Sequence, residues 1–239
     1  MRIIGGSASY RGIIFESEKE VVNANRVHGH IIITKRKKDK IIKPANKMKS
    51  IPFIRGLWVW IEVLLSAPKG FLLTILAMGM FLIIISNTLT NTTTSTINIM
   101  PLIIAMIVFT LVIIRFSKLS YYHGAEHKVF NAYSKNKELT IDNVRKESRI
   151  SEDCGSNLAV FFILINIIFL LLDMYAFYTP IISWTLAYEL FIAEDKIGIL
   201  KPFKLVSSLF QKYLLTAEPN DNQIEVGIAA IKELLKEDE

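Results

Sequence analysis

Two of the four histidines in this sequence lie four residues apart in Tyr122-His123-Gly124-Ala125-Glu126-His127-Lys128, with a glutamate directly before the second. On an α-helix, residues three and four apart share a face, so His123, Glu126 and His127 project together. His-x-x-Glu-His is the inverted form of the zinc-peptidase helix signature, in which two imidazoles ligate the metal and the carboxylate activates a water. Glu126 is therefore the candidate catalytic base, although Gly124 inside the motif weakens a helix by about 1 kcal/mol relative to alanine. A catalytic zinc needs a third protein ligand. Cys154, at the head of an expected helix that would favour thiolate, is the first candidate, and Glu147 and Glu189 are the others. The metal set read from the sequence is His123, His127 and Cys154, and the cofactor is a divalent ion, zinc first. The competing reading makes His123, Glu126 and His127 a hydrogen-bonded cluster with Lys128, Arg145 or Arg149.

The elements that must position these residues are unusually apolar. Half of the 239 residues are hydrophobic (51%) and they gather in long runs, the pattern of a mainly α-helical integral membrane protein with the lipid bilayer as partner. The runs give four expected transmembrane helices at 71–89, 99–116, 158–178 and 181–193, the last weakened by Glu189. The stretch 51–67 is too short and carries Arg55 and Glu62, so it reads as an interfacial or re-entrant helix with Trp58 and Trp60 at headgroup depth. Arg55 and Glu62 share a face two turns apart. The membrane domain is thus 51–193, with the motif in a loop at 117–157.

Cations collect on one side: 12 Lys+Arg in 1–50, 7 in 117–157 and 6 in 194–239, against uncharged turns at 90–96 and around Thr179-Pro180. By the positive-inside rule both termini and the central loop face the cytoplasm of a cell membrane. Residues 1–11 show no apolar core of leader length, so targeting is expected from the first hydrophobic segments. The single cysteine excludes an intrachain disulfide and a four-cysteine metal cluster. No nucleic acid is expected, because no aromatic residues interleave the basic run 35–40.

The basic region 1–50 contains three β-leaning runs, at 12–16, 20–26 and 30–35, which form a small antiparallel meander. His28 and His30 in its last turn are read as exposed turn residues, since a pair without a nearby third ligand is a poor metal site. In the central loop, 121–133 is expected to continue the second span as helix, and Thr140 to start a further short one. In the C-terminal region 194–239, residues 200–215 read as an amphipathic helix. Asn220-Asp221 caps a final helix whose apolar positions Ile224, Ile228, Ile231 and Leu235 recur at three and four.

Gly5-Gly6 with Gly12, Arg55-Gly56 with Glu62, the segment Tyr122–Lys128 leading to Asn131-Ala132-Tyr133, Asn143-Val144-Arg145 with Arg149, Cys154-Gly155, Tyr188-Glu189, and Glu218-Pro219 with Gln223–Val226 together resemble the bacterial YqhQ-like family over nearly the whole chain. The resemblance implies a multi-pass membrane protein of unknown function, of a kind often labelled a metal-dependent enzyme. The family typically has an acidic residue where this chain has Arg11, a Met-Met-Arg run near Ile14-Phe15-Glu16, and a histidine where this chain has Ser151. On that resemblance, two supports of a metal site are replaced here.

Two functions compete. One is metal-dependent hydrolysis at the membrane interface, with Glu126 as base and the substrate open. The other is a non-enzymatic homo-oligomer, a scaffold or channel-like assembly in which the same residues form a structural polar network and intramembrane Asp173 and Glu189 face a cavity or partner.

Overall fold

His28 and Gly29 both take positive φ, 49° and 86°, the backbone that closes a two-residue hairpin with the right-handed twist of its strands. They join β3 (Glu20–Val27) to β4 (His30–Lys37), and β1 (Ile3–Ala8) and β2 (Gly12–Ser17) complete an antiparallel sheet in sequence order. The meander thus has one strand more than the apolar pattern gave. In β1 the pair Gly5-Gly6 follows Ile3-Ile4 and interrupts the apolar pattern, which hid the strand. The register sets Ile13 opposite Ala24 and Phe15 opposite Val22, so all four share a face, and all four are fully buried. His28 and His30 are exposed on the hairpin, as the turn reading expects.

The computed structural model describes residues 3–38, 48–66, 73, 80, 84, 100–174, 176, 178–193, 198 and 201–236. The chain divides into two compact units. The first comprises Met1–Ile41, Thr110–Val160 and Glu194–Glu239, and the second Ile42–Phe109 and Phe161–Ala193. The described helices are α1 (Ile54–Ser66), α2 (Met100–Phe116), α3 (Lys118–Ser134), α4 (Ile141–Arg145), α5 (Ser156–Leu171), α6 (Thr179–Ala193), α7 (Lys201–Phe210) and α8 (Asp221–Leu235), with a π-helical turn at Gln211–Leu215 after α7.

Among the described residues no helix is long and apolar enough to cross a membrane. This corrects the integral-membrane fold class, and with it the cell-membrane localisation and the positive-inside orientation. The reason is helix length: a span needs about 20 residues, whereas α2 has 17, α5 has 16 and α6 has 15. The apolar runs are interrupted by backbone chemistry that hydropathy does not register. Ser117 adopts extended dihedrals and its side chain accepts from Leu119 N, so α3 starts afresh and is not a continuation of α2. Beyond α5, Asp173 takes φ 55°, ending the run expected to reach 178. The span at 71–89, apart from positions 73, 80 and 84, and the turn at 90–96 lie outside the described residues.

In the first unit, α3 and α8 pack against the buried face of the sheet. Ala125 and Val129 of α3 meet Ile224, Ile228 and Ile231 of α8 in one core with Ile13, Phe15 and Val22. The expected caps are present. Thr140 Oγ1 accepts from Asn143 N at the start of α4, and Asn220 forms a reciprocal capping box with Gln223 ahead of α8. At the far end of α8, Leu234 is fully buried and Leu235 only partly so. In the second unit α1 lies against α6. Glu189 accepts from Arg55 and, at 2.9 Å, from Phe53 N, while Trp184 Nε1 donates to the Gly56 carbonyl at 3.0 Å. Glu62 pairs with Lys49 at 2.7 Å and accepts from Trp58 Nε1.

Candidate metal centre

α3 holds His123, Glu126 and His127 on one face, as the spacing requires. The two imidazoles meet edge to face with ring centroids 4.4 Å apart. His123 Nδ1 lies 3.2 Å from the Leu215 carbonyl and His127 Nδ1 lies 2.7 Å from the Arg149 carbonyl. A carbonyl only accepts, so both rings carry their proton on Nδ1 and present the Nε2 lone pair. This is how metal-ligating histidines are commonly oriented.

Cys154 arrives from the bend before α5, with Sγ 3.5 Å from His123 Nε2. One ligand atom from each of His123, His127 and Cys154 lies within 4.8 Å of the others. Tetrahedral zinc, with Zn–N of about 2.0–2.1 Å and Zn–S of about 2.3 Å, has ligand-to-ligand edges of roughly 3.4–3.6 Å. The donor types suit such an ion, and the 3.5 Å between Cys154 Sγ and His123 Nε2 equals one such edge. Glu126 Oε2 sits beside the same nitrogens, 3.6 Å from His127 Nε2 and 3.9 Å from His123 Nε2.

The surroundings are dry. His127 is 2% exposed and Glu126 7%. Burial pushes the Glu126 carboxyl up to about 8. It holds His127 down to about 3, reinforced by neighbouring His123. Burial also lowers His123, against the hydrogen bond to Leu215, and raises the Cys154 thiol, against hydrogen bonds from Ser156. All four groups are thus driven toward their uncharged forms.

The cations named beside the motif do not relieve this. Lys128 donates to the Arg145 carbonyl at 2.8 Å and pairs with Glu218 at 2.6 Å. Arg149 reaches Glu218 and the Lys212 carbonyl, and Arg145 reaches Asp142 and Asp221. The other candidate acids have partners of their own: Glu147 is held by Lys135 and Lys137, and Glu189 by Arg55 and Phe53 N.

Several contacts of these residues have no signature in the sequence. His127, Lys128 and Asn131 on one stripe of α3 bind the carbonyls of Arg145, Ser148, Arg149 and Ile150, which fixes the loop leading to Cys154. Gly124 lets the chain after the π-helical turn lie directly on α3, since a Cβ there would run into the Ala217 carbonyl oxygen. Gly6 does the same on the other side, where a Cβ would strike Glu126 Oε1 and the Phe15 ring. A glycine pair inside a strand is the one available hint of such a close approach.

A family model described as "Protein of unknown function (DUF1385)" matches residues 43–237, which include His123, Glu126, His127 and Cys154 but not the sheet. The chain is similar to the Uncharacterized protein YqhQ of Bacillus subtilis (strain 168), 32% identical over 126 residues, 48% of this chain and 40% of that protein. The match thus spans well under two thirds of the relative's length. No solved structure matches the chain.

Proposed function

The chain belongs to the DUF1385 family of proteins of unknown function, and we propose that it binds a divalent metal ion, zinc first, through His123 Nε2, His127 Nε2 and Cys154 Sγ, and uses it in hydrolysis with Glu126 as base. The observation that carries this reading is the convergence of two Nδ1-protonated imidazoles and a thiol on one point, beside a carboxyl that has no Lys or Arg partner among the described residues. Three protein donors leave a fourth tetrahedral position open, the arrangement of catalytic and not of structural zinc. Once bound, the ion supplies Lewis acidity.

The chain's own groups do the rest. The Leu215 and Arg149 carbonyls keep the imidazoles in register. With an ion bound, Glu126 and Cys154, which burial keeps protonated, would give up their protons. Glu126 Oε2 then accepts a proton from the attacking water and returns it to the leaving group.

Elemental analysis of purified protein beside a His123→Ala/His127→Ala double variant tests the site. Near one equivalent of metal is expected in the wild type and none in the double variant; no metal in either sinks the reading. Glu126→Gln separates binding from chemistry. It should retain the metal while turnover, once found in a hydrolase substrate screen, falls by roughly 100-fold or more.

A further inference from the structure

Cys154 sits at the apex of a bend between the α3 side of the fold and α5, and its own sulfur contacts are weak. Besides His123, Sγ meets, among the described residues, the Ser156 hydroxyl at 3.2 Å and the Ser156 amide at 3.5 Å. The bend is gripped from outside. Gln211, the first residue of the π-helical turn and 1% exposed, pairs its amide with the Ser151 backbone in both directions: Oε1 accepts from Ser151 N and Nε2 donates to Ser151 O, each at 2.9 Å. Gln211 Nε2 also donates to Asn157 Oδ1 at 2.9 Å, and the Ser207 hydroxyl donates to the same oxygen at 2.6 Å. Asn157 Nδ2 in turn donates to the Glu152 carbonyl at 2.6 Å, and its backbone amide to the Cys154 carbonyl at 3.0 Å.

We infer that Gln211 is a positioning residue for the metal centre, holding Cys154 at ligating distance from His123. One amide ties the residue three before the cysteine to the residue three after it, so it fixes both feet of the bend whose apex is the sulfur. The same turn carries the Leu215 carbonyl that orients His123, so the Gln211–Leu215 segment sets both a donor's position and another donor's tautomer. π-Helical turns recur at functional sites because they release backbone groups and redirect side chains. A buried amide with every bond satisfied specifies one geometry where an apolar residue of equal size would only fill space.

This inference rests on the metal reading above, and the test keeps the two apart. Gln211→Met preserves volume and removes the bonds to Ser151 and Asn157, and Ser207→Ala removes one bond from Asn157. Cobalt(II) is titrated into chelator-stripped wild type and both variants. The near-ultraviolet thiolate-to-cobalt band and the visible ligand-field band are recorded, with circular dichroism as the control for folding. The wild type should show both bands. Gln211→Met should bind roughly 10–100-fold more weakly, losing the thiolate band before the ligand-field band, which the two histidines still support. Ser207→Ala should lose a few-fold in affinity. If the wild type binds cobalt with a thiolate band and both variants match it, Gln211 is not a positioning residue and the metal reading stands. If Gln211→Met does not fold, Ser207→Ala decides: affinity and band equal to wild type overturn the inference. A wild type that binds no cobalt overturns both.

Discussion

Each unit contains a partly buried group of ionisable side chains, and the two are built on opposite electrostatic principles. In the second unit Arg55 and Glu189 neutralise each other. The hydrogen bond between them is the main cause that lowers the Glu189 carboxyl and raises the Arg55 guanidinium, with burial opposing both shifts. Phe53 N satisfies Glu189 further. The pair clamps α1 to α6. In the first unit two histidines, a glutamate and a cysteine converge with no cation among them, and burial is the leading cause of every shift. A polar cluster that exists for stability finds its counter-charge within the fold. One that must be neutralised instead is complete only with something from outside, which is why perturbed, uncompensated groups mark candidate sites.

The comparison can be broken in three places. The neutral cluster is positioned by packing and backbone contacts, so the largest expected effect is steric. Gly124→Ala should cost about 3 kcal/mol, because a backbone carbonyl at Ala217 cannot move aside as a side chain can, and it should weaken metal binding by shifting the segment that carries the Leu215 carbonyl. Chemical denaturation together with a metal titration measures both. An unchanged stability would mean the close approach to α3 is not required.

Next in size, Arg55→Ala should cost about 2 kcal/mol by leaving Glu189 without its counter-charge, and should leave metal affinity untouched. Because Glu189 is lowered in the folded protein, its contribution is present above its ordinary value of 4.5 and is lost as pH falls through the lowered value. A change in metal affinity in this variant would contradict the division of labour drawn between the two clusters.

The smallest effect at fixed pH is the most discriminating across pH. Folded Glu126 keeps its proton up to about 8, while the unfolded chain gives it up near 4.5. In chelator, stability should therefore decline with rising pH by about 1.4 kcal/mol per unit between 6.5 and 8. Histidine works the other way: folded His127 stays neutral down to about 3 and the unfolded ring binds a proton below 6.5, so stability is lost as pH falls from 6.5. Between 4.5 and 6.5 the two slopes oppose each other. Glu126→Gln should change stability at pH 5 by less than about 1 kcal/mol and abolish the alkaline decline. Zinc should reverse that decline in the wild type, since binding tightens as protons leave. Melting temperatures across pH 5 to 8.5, with and without zinc, measure this. An alkaline decline of equal slope in Glu126→Gln would remove Glu126 as its source.

Local features of this fold were legible because they depend on neighbours in the chain. The shared face of His123, Glu126 and His127, the caps at Thr140 and Asn220, and the hairpin at His28-Gly29 follow from side-chain chemistry within a few residues. Hydropathy misled where it was asked for continuity. The run expected to reach 178 is broken at Asp173 by backbone geometry, and the helix expected to continue past Phe116 is restarted at Ser117; a mean over a window sees neither.

The sequence by itself determined which side chains share a helix face and what chemistry their types allow, since the spacing of three and four residues fixes that geometry wherever the helix ends up. Only the tertiary structure decided that Cys154 comes to His123 across 31 positions, while Glu147 goes to Lys135 and Lys137. It also decided that Leu215, 92 positions away, sets the tautomer of that ring, and that Lys128, Arg145 and Arg149 turn to other acids. These contacts are chosen by packing between distant segments, each of which has several chemically equivalent partners in the sequence and one position in the fold.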